Sequence, residues 1–207
     1  MKLNIGDKAP LFRGKDQDGK DVNLKDYTGK KVVLYFYPND DTPGCTAQAC
    51  NIRDNYDRLI SKGYKVFGIS GNDEASHRKF IAKYKLPFSL IADTDKSINE
   101  LYGVWVEKSM YGKSFMGTAR TTFIIDEKGI ISDIIAKVVT DNHTEQILNP
   151  GVEIKKVKRP AVPNKAKETK APAAKKTAEK KTPVKKKPAA ATKAKAPVKK
   201  VVSKKKK

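Results

Sequence analysis

A chain of 207 residues is long enough for one folded domain of about 150 residues and an extension. Its net charge of +21 is uneven: residues 1–154 carry 22 basic and 21 acidic side chains, residues 155–207 carry 22 basic and 2 acidic. No apolar run approaches the roughly 20 residues of a membrane-spanning helix, the amino terminus lacks an apolar core of signal-peptide length, and two cysteines do not make a disulfide-stapled secreted domain; a cytoplasmic protein is expected.

Gly6 to Pro10 reads as an irregular lead-in, with a short strand at Leu11-Phe12. Asp18-Gly19 is a turn signal that pairs this strand with Val22-Asn-Leu24. Lys31-Val-Val-Leu-Tyr-Phe-Tyr37 is an apolar run of strand character, ended by Pro38. Ile52, Tyr56, Leu59 and Ile60 recur at helical spacing, which predicts one helix from Pro43 or Gly44 to about Ser61, stopped by Lys62-Gly63. Tyr64–Ser70 is a second buried strand. Asp73 is placed to cap a helix through about Tyr84, with Phe80, Ile81 and Tyr84 on one face.

Phe88–Ala92 is a third strand, and Asp93 and Asp95 open a short helix containing Ile98, Leu101 and Tyr102. Residues 105–119 have weak periodicity and read as a loop or irregular strand. Thr121–Ile125 and Ile130–Ile135 form a hairpin around Glu127-Lys-Gly129, and a last short helix covers about Asn142–Leu148. Strands alternating with helices, plus hairpins near both ends, imply an α/β domain: a mixed sheet flanked by helices, over residues 1–154.

Both cysteines fall in Pro38-Asn-Asp-Asp-Thr42-Pro-Gly-Cys45-Thr-Ala-Gln-Ala-Cys50. Cys45 is placed in or beside the first helical turn, where backbone N–H groups lack intrahelical partners and the helix dipole favours negative charge. Both effects favour the thiolate, the reactive form of the side chain. Thr42 and the polar Asn39-Asp40-Asp41 run speak for a reactive thiol over a small buried apolar residue. Five residues of regular helix separate the Cys45 and Cys50 Cα atoms by roughly 8 to 9 Å, beyond the usual disulfide limit of about 7 Å. A static staple is badly placed here, and a bond formed during turnover requires the helix to unwind.

Pro38-x-x-x-Thr42-Pro-x-Cys45 resembles the active-site signature of peroxiredoxins, and Cys50 five residues on resembles the peroxiredoxin Q (bacterioferritin comigratory protein) group. The similarity continues through Gly68-Ile-Ser, Ser76-His77, Tyr84-Lys-Leu-Pro-Phe88, Gly103-Val-Trp105, Tyr111-Gly-Lys, Arg120-Thr-Thr-Phe-Ile-Ile-Asp126 and Asn142-His143, covering nearly all of residues 1–149. The resemblance implies a thioredoxin-like fold and a monomeric thiol peroxidase that reduces hydrogen peroxide and organic hydroperoxides. It implies Cys45 as the peroxidatic nucleophile, passing through a sulfenic acid, with Cys50 as the resolving thiol. Thioredoxin is the implied reductant, with no metal, flavin or haem cofactor. Thr42 Oγ1 and the Cys45 N–H would orient the peroxide, Pro38 would shield the thiolate from water, and the Arg120 guanidinium would hold the thiolate and stabilise the transition state. Without the resemblance, an arginine opening a strand reads as a surface residue.

Other candidates read more plainly. His77 and His143 are isolated and suit surface or capping roles; Asp40, Asp41 and Asp54 suit solvated carboxylates; Trp105 and Tyr111 either line the approach to the site or pack in the core.

From about Lys155 the composition turns to Lys, Ala, Pro, Thr and Val, without glycine or aromatic residues, and resembles the carboxy-terminal tail of linker histones. Prolines at 160, 163, 172, 183, 188 and 197 interrupt any long helix, and a disordered tail is expected. Its charge predicts non-specific attraction to nucleic acid and a nucleoid-associated enzyme; a membrane role lacks any anchor. The competing functions are a redox-sensing thiol-disulfide protein and a nucleic-acid compaction protein with little peroxidase turnover.

Overall fold

A computed structural model describes residues 3–152 apart from Tyr111. The expected domain boundary at 154 and the basic tail 155–207 lie outside the described residues. The elements in chain order are β1 (Arg13–Asp16), β2 (Asp21–Asn23), β3 (Lys31–Phe36), α1 (Pro43–Asp54), α2 (Tyr56–Ser61), β4 (Tyr64–Ser70), α3 (Glu74–Tyr84), β5 (Ser89–Ala92), α4 (Ser97–Leu101), β6 (Trp105–Met110), β7 (Lys113–Thr118), β8 (Thr121–Ile125), β9 (Ile131–Ile135) and α5 (His143–Leu148).

Seven strands form one sheet in the order β2-β1-β5-β4-β3-β8-β9. β3 runs parallel to β4 and β4 to β5, while the flanking pairs are antiparallel. β3 is covered on both faces, which is why it reads as an unbroken apolar run. Its side chains divide by the period of a strand. Val32, Leu34 and Phe36 pack with Phe67, Phe123, Ile98 and Tyr102 on one side of the sheet. Val33, Tyr35 and Tyr37 pack with Cys45, Ile52, Leu59, Phe80 and Ile147 on the other, against α1, α2, α3 and α5.

The expected single helix to Ser61 is two helices. Asn55 leaves the helical region (φ −118°, ψ 17°), and its Nδ2 donates to the Asn51 carbonyl at 2.9 Å, giving the backbone an alternative to helical continuation. The break keeps Ile52 and Leu59 fully buried and leaves Ile60, expected on the same buried face, 51% exposed. The strand expected at Leu11-Phe12 lies further on: the ladder with β2 begins at Arg13↔Asn23, and Phe12, just before it, is buried while Leu11 is exposed. β6 and β7 form a regular antiparallel pair rather than a loop, registered from Trp105↔Thr118 to Met110↔Lys113. It is a separate two-stranded sheet, so it lacks the one-sided burial that makes a strand alternate.

Two further local expectations agree with the structure. Asp73 Oδ1 caps α3 by accepting from the Ser76 N–H at 2.8 Å, and β8 and β9 form the expected hairpin. No helix among the described residues is long and apolar enough to cross a membrane.

Candidate active site

β3 delivers the chain to Tyr37, the segment from Pro38 to Asp41 crosses the end of the sheet, and Thr42 takes the extended N-cap conformation before Pro43 opens α1. Proline suits this first position because its missing N–H would have no helical partner. The Thr42 hydroxyl does not cap the helix; it donates to the Asn39 carbonyl at 3.2 Å. Pro38 is half-buried in this crossing segment.

Cys45, in the first turn of α1, is 2% exposed and packs with Val33, Tyr35, Tyr37 and Ala49. Its sulfur is nevertheless not in an apolar slot. Arg120 immediately precedes β8, and β8 pairs Thr121 with Phe36, so the sheet register brings Arg120 to the end of β3 where α1 begins. There Nη2 donates to Cys45 Sγ at 3.3 Å. The guanidinium passes so close to α1 that a Cβ on Gly44 would lie 3.3 Å from Nη2.

The second arm of the guanidinium, Nη1, donates to Gln48 Oε1, one helical turn beyond Cys45. Gln48 Nε2 faces His143 Nδ1 at 3.1 Å, and His143 Nε2 faces Thr122 Oγ1 at 2.9 Å. Gln48, His143 and Thr122 are all fully buried. Burial, and then the positive charge of Arg120, push the His143 imidazole down to about 3, so the ring is neutral at ordinary pH. Lys108, on β6, donates from Nζ to the Thr118 carbonyl, two residues from Arg120; burial and the Arg120 charge push it below the usual lysine range.

Cys50 lies half-buried on the same unbroken helix, and both thiols are free. Burial raises the Cys50 thiol, with Arg53 opposing, which keeps it protonated.

Both histidine expectations are corrected: neither ring is at the surface. His77 is fully buried, with Nδ1 2.9 Å from Asp40 Oδ2 and Nε2 3.2 Å from the Ile91 carbonyl. Asp40 is likewise not a solvated carboxylate. Besides His77 it accepts from Tyr37 Oη at 2.7 Å and from Ser76 Oγ at 2.6 Å. Burial alone would raise its pKa, but the hydrogen bond and charge of His77, then Ser76 and Tyr37, hold it below the usual carboxylate range. Asp41 and Asp54 are exposed as expected, Asp41 held by Lys83 and Tyr84. Trp105 is half-buried with Lys96 Nζ 5.9 Å from its ring centre, and Tyr111 lies outside the described residues. The residues that sequence reasoning missed are Gln48 and Thr122; the signal was their place inside the same two segments as Cys45 and Arg120.

Residues 5–134 match the AhpC/TSA family. The peroxiredoxin Bcp of Escherichia coli (strain K12) is 45% identical over 147 residues, spanning 71% of this chain and 94% of that protein. The chain belongs to the peroxiredoxin Q/Bcp group of that family. Among solved structures, a PrxQ of Xylella fastidiosa matches this peroxiredoxin with a TM-score of 0.68 at 30% identity, covering 72% of this chain and 95% of that one. The bacterioferritin comigratory protein of Xanthomonas campestris matches with a TM-score of 0.64 at 30% identity, covering 69% and 95%. The mixed sheet is therefore thioredoxin-like, and the peroxiredoxin is a thiol peroxidase.

Proposed function

We propose that Cys45 is the peroxidatic nucleophile, that Cys50 resolves its sulfenic acid, and that thioredoxin returns the disulfide to two thiols. The observation that carries this reading is the 3.3 Å contact between Arg120 Nη2 and Cys45 Sγ in the first turn of α1. A guanidinium at that distance stabilises the thiolate by a charge-assisted hydrogen bond, and it stands where charge develops as the O–O bond lengthens.

In the first step the thiolate sulfur attacks one peroxide oxygen and the O–O bond breaks. The leaving oxygen departs with the bonding pair and is protonated to water or an alcohol, while the sulfur is oxidised to sulfenic acid. In the second, the Cys50 sulfur attacks the Cys45 sulfur, a disulfide forms and water leaves. Thr42 and the Cys45 N–H orient the peroxide, and Pro38, which has no N–H to offer, limits access of water. Hydrogen peroxide and organic hydroperoxides are the substrates; alkyl peroxide reduction is the activity named for the Xanthomonas campestris relative.

The second step needs α1 to open, because five residues of intact helix hold the two Cα atoms roughly 8 to 9 Å apart. The excess of lysine beyond residue 154 supports non-specific binding of nucleic acid by that segment, and the reading is of a monomeric enzyme, cytoplasmic and held near the nucleoid. Peroxide consumption with and without thioredoxin tests the assignment. Cys45→Ser should abolish it. Cys50→Ser should consume about one equivalent and then stop, and full thioredoxin-driven turnover by this variant would remove the intramolecular resolving step.

A further inference from the structure

The hydrogen bonds behind Arg120 admit only one polarity. A guanidinium has donors and no acceptor, so it takes the oxygen of the Gln48 amide. That turns the Gln48 NH₂ toward His143 Nδ1, 3.1 Å away, which must then accept. The proton of the neutral ring is therefore on Nε2, which donates to Thr122 Oγ1 at 2.9 Å. This tautomer is assigned from the network. A ring carrying its proton on Nδ1 would confront the Gln48 NH₂ with a donor and favour a flipped amide, setting NH₂ against Arg120. Because all three side chains are buried, no solvent water rescues a mismatch.

Gln48 also lies between Cys45 and Cys50, so unwinding that joins the two sulfurs must withdraw it from His143. The same carboxy-terminal segment grips α1 again just past Cys50. Asn51 Nδ2 donates to the Asp141 carbonyl at 2.6 Å, and the Thr144 N–H donates to Asn51 Oδ1 at 2.8 Å.

We propose that His143 is a positioning residue for the peroxidase: by accepting the Gln48 amide N–H it aims Arg120 at the Cys45 sulfur, and by the same contact it latches α1 against opening. The proposal rests on the reading of Cys45 and Cys50 given above. It requires His143 to act in opposite directions on two steps, helping attack on peroxide and hindering resolution. A residue that merely supports the fold would not divide the steps in this way.

The experiment is stopped-flow kinetics on the full chain, resolving sulfenic acid formation from disulfide formation, with circular dichroism to verify folding. His143→Leu removes the acceptor. It should slow peroxide attack by about tenfold, the scale of one lost buried hydrogen bond, and speed disulfide formation severalfold. His143→Gln, which can still offer an oxygen to Gln48, should recover most of the rate of attack. Thr122→Val frees the tautomer and should give a smaller effect in the same two directions. Attack at the native rate in folded His143→Leu, or slowing of both steps together, would overturn the proposal. Should His143→Leu not fold, His143→Gln and Thr122→Val carry the test, and Thr122→Val kinetics identical to the native protein in both steps would overturn it. Failure of the underlying reading is separately visible: peroxide consumption surviving Cys45→Ser, or no Cys45–Cys50 bond in the native chain, removes that reading whatever the His143 variants do.

Discussion

Asp40 Oδ2 lies 2.9 Å from His77 Nδ1, with only 4% and 0% of the two side chains exposed to solvent. The pair ties the segment carrying Pro38 and Thr42 to α3, while the Asp40 N–H reaches the Asn72 side chain beyond β4 at 3.0 Å. Truncating one partner strands the other's polar group in the interior, at a cost of about 3–5 kcal/mol. Asp40→Ala and His77→Leu should each lower the urea midpoint steeply, and the double variant should lie above the worse single one. Strict additivity in that double-mutant cycle would mean the contact carries no coupling. Because Asp40 is held below its ordinary value of 3.8, its stabilisation is fully present above that pH and is lost as pH falls through the lower folded value.

His143 makes stability depend on pH over a different window. Its value of about 3 in the folded protein lies below the ordinary 6.5, so between these limits the unfolded chain binds more protons. Its contribution therefore falls as pH drops through that window, by about 2 kcal/mol between pH 7 and pH 5. Urea titrations at the two pH values, run on native protein and His143→Gln, measure it. The variant should lose most of this difference, and an equal difference in both proteins would place the titrating group elsewhere.

Gly44 has an ordinary helical role in its backbone but an unusual one in space, because a Cβ there would press on Arg120 Nη2 at 3.3 Å. The guanidinium is fixed on two sides by Cys45 and Gln48 and has little room to yield. Gly44→Ala should therefore slow peroxide attack, by about tenfold for a guanidinium shifted off the sulfur, without lowering the urea midpoint, since alanine is the better helix former. Native kinetics in this variant would show that Arg120 can adjust.

The charge split predicts that the two parts of the chain are separable in function. A protein ending at residue 154 should retain peroxidase activity close to that of the full chain, yet should not retard duplex DNA. The full chain should retard DNA of any sequence, and its affinity should fall by a factor of roughly 10³ or more between 50 and 200 mM salt if six or more phosphates are neutralised. Gel-shift titrations at several salt concentrations decide this: equal binding by both proteins moves the binding element into the domain, and binding by neither removes the nucleic-acid reading.

Where the chemistry depends on neighbours along the chain, it was legible in the residues. The apolar run before Pro38, the proline and glycine after Thr42, and the helical spacing beyond them place Cys45 at the start of a helix because each is a local backbone preference. The charge run after residue 154 is likewise a matter of composition. The partners of Cys45 are of another kind. Arg120 reaches it across 75 residues only because β8 lies antiparallel beside β3 in one register. His143 sits among polar residues and reads as surface until α5 packs on α1, and Asp40 reads as solvated until α3 brings His77 beneath it. Pattern along a chain reports which elements form, whereas desolvation and hydrogen-bond polarity are set only when elements distant in sequence close over one another; tertiary packing alone therefore decided which polar side chains stand behind the sulfur and in what protonation state.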